Sequence, residues 1–131
     1  MTGMKSDLTL RQDLTELVLV AIGALPGAVL RWQLGVHWAD QDLIANVAGA
    51  FLLGLLAGLP TRPRRQLLVG IGFCGSLTTF SSWMVNCVAM VVAGQWVAAF
   101  GLVGLTLGLG LGAAAVGFVM GQALRPHPPP T

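Results

Sequence analysis

Five hydroxyls crowd into seven residues: Ser76, Thr78, Thr79, Ser81 and Ser82. They lie inside the run Gln66 to Leu124, which carries no charged side chain. Polar groups in so apolar a setting need partners, because an unpaired one in hydrocarbon loses several kcal/mol. Gly72 and Gly75 come just ahead and weaken a helix locally. A helix unwound around Cys74–Thr78 leaves free carbonyls on the half before it and free N–H groups on the half after it. Unwound carbonyls suit a hard cation, and a helix N-terminus favours an anion. Phe80 and Trp83 are three apart and share a face, and their ring edges carry the positive part of the quadrupole. With Asn46, Thr79, Ser81 and Ser82 as N–H and O–H donors, the stretch reads as a row of weak partners suited to conducting a small anion. The plainer reading is hydroxyls bonded back to carbonyls four residues earlier, beside an aromatic packing pair.

Whatever positions these residues is built for a membrane. The 131 residues are 55% hydrophobic and 9% charged, against about 25% charged in a soluble domain. A net charge of +2 with no basic, aromatic-interleaved stripe is too weak to argue for nucleic-acid binding, and none is expected. Cys74 and Cys87 have no zinc or CxxC spacing and read as packing thiols. Residues 1–13 form a polar N-terminal segment, and four spans follow as one transmembrane domain over 14–124. The helices are expected at about 14–35, 43–59, 67–93 and 97–124, with a Pro-rich tail over 125–131. The third holds more residues than a span of about 20 needs, so it is expected to break near its middle. Gly94-Gln95-Trp96 divides the third helix from the fourth. Gly23 and Gly27 let another helix approach the first, and Pro26 invites a kink there. Gly104, Gly108 and Gly112, then Gly117 and Gly121, give the fourth helix a face for close contact. Arg31 is either an interfacial cation that snorkels or an inward one that binds an anion or ties down a loop.

The order of residues resembles a known family. Gly72-x-x-Gly75-Ser-Leu-Thr78-Thr-Phe80-Ser-Ser-Trp83 is similar to the signature of the Fluc (CrcB) family of fluoride channels. Gly23-Ala-Leu-Pro-Gly27-Ala-Val-Leu-Arg31-Trp resembles its first-helix motif, and Asn46-Val-Ala-Gly49-Ala-Phe51-Leu-Leu-Gly54 its second-helix motif. The resemblance implies an all-α membrane protein of four transmembrane helices, paired as an antiparallel dimer with two fluoride pores. It implies that Gly75 and Thr78 give backbone carbonyls to a structural sodium ion between the subunits. Phe80 and Trp83 become the pore aromatics, Asn46 the side chain that orders them, and Thr106 part of a polar track. Trp83 stands where the family usually has Phe, Ser76 where it has Gly, and Gln41-Asp42 where it has Gly-Thr. An acid there does not help an anion enter, and the chain has no Tyr for the fourth helix.

The expected function is passive export of fluoride through the cell inner membrane or plasma membrane, with no enzymatic activity. The alternative is a small multidrug-type proton-coupled antiporter, which needs a carboxylate within a span. Glu16 is the candidate, Asp7, Asp13, Asp40 and Asp42 being expected outside the spans. A hydrolase fails for want of a base near Ser81, since His37 and His127 fall in connectors. With four spans, Lys5, Arg11, Arg62, Arg64, Arg65 and Arg125 share one side and Arg31 is alone on the other. That bias favours cytoplasmic termini, whereas a dual-topology protein is near balance. The partner is therefore a second, inverted copy or an oppositely oriented paralogue.

Overall fold

A computed structural model describes residues 2–38 and 40–125, with side chains from residue 9 onward. Four stretches in it are long and apolar enough to cross a membrane: Thr9–His37, Gln41–Gly58, Pro63–Val92 and Trp96–Ala123. Such a chain is a multi-pass membrane protein, all helical among its described residues.

Helix α1 spans Thr2–His37. The polar segment expected outside the first helix is thus its first turns, with Thr15 Oγ1 donating to the Arg11 carbonyl at 2.8 Å. Pro26 stands inside α1 without ending it. The connector after it is shorter than the sequence suggests, because α2 already begins at Gln41 and runs to Gly58. This places Asp42 in the first turn of a spanning helix, a correction to its expected place outside the spans.

The third span is the irregular one. It opens as a short turn, α3 (Pro63–Arg65), inside the basic connector. It then winds as a π-helix over Gln66–Cys74 and returns to α geometry in α4 (Gly75–Leu77). π turns carry i→i+5 bonds and favour functional sites; the hydrophobic pattern gave no hint of them. The helix stops at Thr78, whose φ of −76° and ψ of 157° are extended, and resumes as α5 (Ser81–Val92). The break therefore lies at 78–80 and meets the expected Cys74–Thr78 at Thr78 alone. Gly75, expected to be non-helical, has φ −64° and ψ −32° and is helical.

Gly94, at a φ of 77°, turns the chain after α5 in the conformation glycine adopts most easily. The Gln95 N–H bonds the Met90 carbonyl at 2.8 Å across that turn. Helix α6 then spans Trp96–Ala123. It packs along α2, while α1 packs on the π-helical stretch. Glycines make both seams: a Cβ on Gly23 would strike the Leu68 carbonyl, and one on Gly117 the Phe51 carbonyl. Gly27 likewise faces Phe73 and Ser76. Gly104, Gly108 and Gly112, in contrast, have nothing within 4 Å of the Cβ position. Among the described residues, nothing packs against these three positions of α6. The tail expected over 125–131 lies, apart from Arg125, outside the described residues.

Candidate functional site

Asn46 holds the break open. Its Nδ2 donates to the Thr79 carbonyl at 2.9 Å, and its Oδ1 accepts the Thr79 N–H at 2.7 Å. Both polar groups of one residue's backbone are thereby paired with one side chain. The Thr79 N–H would otherwise bond the Gly75 carbonyl and continue the helix, so this diversion is why the winding stops here. The neighbouring hydroxyls finish both ends. Thr78 Oγ1 donates to the Cys74 carbonyl at 2.9 Å, and Thr79 Oγ1 accepts the Ser82 N–H at 3.4 Å. Ser76 Oγ bonds back to the Phe73 carbonyl at 3.0 Å. The back-bonding reading thus holds for Thr78, while Ser76 bonds three residues back and Thr79 serves the break.

Arg31 points inward. Its Nη1 donates to the Thr78 carbonyl at 3.3 Å, tying α1 to the break. Of the two sequence readings, the loop-fastening one describes it.

Beyond the break, Phe80 and Trp83 meet with ring centroids 5.9 Å apart and planes tilted by 47°. Their environments differ sharply. Trp83 is buried, and its Nε1–H donates to Thr106 Oγ1 at 3.1 Å; Thr106 in turn donates to the Leu102 carbonyl at 2.7 Å. Phe80 is 70% exposed, on the outside of the chain. Ser82 Oγ donates to Asp42 Oδ2, and Asn86 Nδ2 reaches the same oxygen at 3.2 Å. Ser81 is exposed and belongs to neither group. Asp42, Trp83, Asn86 and Leu102 line a cavity of about 360 Å³ that also takes in Asp40 and Gln41.

So Asn46, Thr78, Thr79 and Arg31 come together at the break, and Trp83, Thr106 and Ser82 beside it. Asp42 and Asn86 join them without having been singled out as site residues. A signal existed in the spacing: Asp42 is four residues before Asn46, and Asn86 four after Ser82, so each pair shares a helical face.

The carbonyls of Gly75 and Thr78 fit a hard cation in donor type. Gly75 is exposed and its carbonyl loses its helical N–H partner to Asn46. The Thr78 carbonyl takes one guanidinium N–H and, with two lone pairs, keeps room for another contact. The Arg31 charge beside it is the feature that opposes a cation.

Residues 18–118 match the family model described as CrcB-like protein, Camphor Resistance (CrcB). The chain belongs to this family. Among CrcB-like relatives, "Fluoride-specific ion channel FluC 2" of Synechococcus sp. (strain CC9902) is 66% identical over 125 residues, 95% of this chain and 93% of that one. The protein of the same description from Parasynechococcus marenigrum (strain WH8102) is 69% identical over 121 residues, 92% of each. A more distant one, "Fluoride-specific ion channel FluC 1" of Mycobacterium tuberculosis (strain CDC 1551 / Oshkosh), is 39% identical over 111 residues, 74% of this chain and 84% of that one. The CrcB-like match thus takes in the three motifs, the break and Thr106.

Proposed function

We propose that the chain is the subunit of a fluoride-selective channel that lets fluoride leave the cell passively. The carrying observation is the break held by Asn46, with Phe80 and Trp83 in contact just past it and the Trp83 indole bonded to the Thr106 hydroxyl. The relatives described as fluoride-specific channels support the choice of ion. Fluoride would meet aromatic ring edges and neutral N–H and O–H groups in place of water, partners weak enough to release it. The antiporter is the poorer reading, since Glu16 is exposed on α1 and none of the curated relatives reported above is described so.

Three features support a complete channel made of two copies. Phe80 is mostly exposed, Gly75 is exposed, and the row Gly104, Gly108, Gly112 has open space before it. A second copy set antiparallel would cover all three, with the inner or plasma membrane as its place. A sodium ion held by the Gly75 and Thr78 carbonyls would supply a fixed positive charge that fastens the breaks together. Within each chain, Asn46 ties the break to α2 and Arg31 ties it to α1.

Purified protein in liposomes should release fluoride, and not chloride, when the potassium permeability alone is raised. Phe80→Ile should fold and assemble yet release none. Chloride efflux as fast as fluoride efflux, or undiminished fluoride efflux by Phe80→Ile, would overturn the reading.

A further inference from the structure

The basic connector ahead of the third span forms one wall of a groove that the proposed fluoride path does not use. Arg62, Arg64 and Arg65 line it with Pro63, Leu19 of α1 and Leu68 of the π-helical stretch, around about 680 Å³. A second groove of about 460 Å³ adjoins it, sharing Leu19, Pro63 and Arg64 and adding Arg11 and Glu16. Depth in the membrane divides the lining in two. The uncharged run of α1 begins at Leu17 and that of the third span at Gln66. Leu19 and Leu68 therefore stand just inside the apolar runs, and the three arginines of the connector just outside.

Charge at the rim is unbalanced. Four arginines border the two grooves, and Glu16 is the one acid among their lining residues. Arg62 and Arg64 are exposed. Arg65 is half-buried and donates from Nη2 to the Pro60 carbonyl, while its Nε is buried with no hydrogen-bond partner among the described residues. An unpaired buried donor is unfavourable, and phosphate oxygens are acceptors that a guanidinium fork fits.

We infer that this groove seats an anionic phospholipid, its phosphate among Arg62, Arg64 and Arg65 and the start of its acyl chains along Leu19 and Leu68. A soluble anion would use the arginines but leave the apolar wall wet. A zwitterionic lipid would offer the phosphate but bring a positive charge of its own to the same rim. Basic pockets between spanning helices hold acidic headgroups for these reasons. Seated so, the lipid links α1 to the basic connector, and neither groove includes a residue of the break.

The inference rests on the membrane spans and not on which ion passes. The full chain in neutral detergent is mixed with equal phosphatidylglycerol and phosphatidylcholine, and native mass spectrometry counts the lipid that each assembly keeps. Wild type should favour phosphatidylglycerol. At about fivefold for each arginine, Arg62→Gln with Arg64→Gln should reduce that preference about twenty-five-fold. Both side chains are exposed, so the double variant should keep the wild-type thermal midpoint. A second variant, Leu19→Ser, keeps every arginine and should weaken retention of phosphatidylglycerol through the apolar wall alone. Equal retention of the two lipids by wild type, or wild-type retention of phosphatidylglycerol in either folded variant, overturns the site. So does inorganic phosphate that displaces the lipid at equal concentration, which makes this a site for a free anion. A double variant that loses its partner copy would assign the groove to contact between copies instead.

Discussion

Asn46 pairs with Thr79 as one peptide group pairs with another, offering a donor and an acceptor at once. No hydrocarbon side chain can replace that. In Asn46→Leu both backbone groups of Thr79, a residue only 8% exposed, would lose their partner. An unsatisfied buried group costs about 1–3 kcal/mol. The expected outcome is a lower thermal midpoint in detergent together with lost fluoride efflux. A variant with unchanged midpoint and efflux would show that the break holds itself. Asn46 could be read from the sequence because it is the strongly polar side chain of an apolar span. Asn86 could not. Spacing sets it on the face of Ser82, but its partner Asp42 comes from α2, and no spacing along α5 contains that contact. Thr106 was legible as the lone hydroxyl of α6, though its partner, the indole N–H, was not.

Among the elements, α6 shows how one periodic signal can hide two jobs. Its glycines look like a single face for helix contact. Gly117 and Gly121 meet the backbone of α2, whereas Gly104, Gly108 and Gly112 meet nothing. Spacing reveals where a helix is small, and not which neighbour it is small for. Gly117→Val should therefore damage the chain's own fold, driving Cβ into the Phe51 carbonyl. Gly108→Val should leave the fold intact and disturb only pairing with a second copy. Size-exclusion chromatography and thermal melting tell these apart. Equal behaviour of the two variants would undo the division. The break teaches a similar lesson. Gly75 drew attention as a helix breaker, but the helix runs through it and stops at Thr78. What ends it is a rival acceptor on another helix, and backbone propensity has little weight beside that.

At the scale of the whole molecule, the bias of basic residues opposes the inverted pair. A reporter on either terminus, read from both sides of the membrane, should find chains in both orientations. A single orientation would leave a homodimer without its other half and favour a paralogue. The long third span has a different consequence. It holds 30 residues where about 20 suffice, and nine of them are wound in π turns. Wider turns fit more residues into a given height, so the stretch before Gly75 contains slack. Deleting Val69 should be absorbed by tightening towards α winding, with Thr78 kept level with Asn46. Deleting Ser82 has no such cushion: each α residue turns the helix by about 100°, so Trp83 would swing away from Thr106. Fluoride efflux should survive the first deletion and not the second. Insertions and deletions among homologous chains should accordingly collect ahead of Cys74, where this span can change length without changing phase.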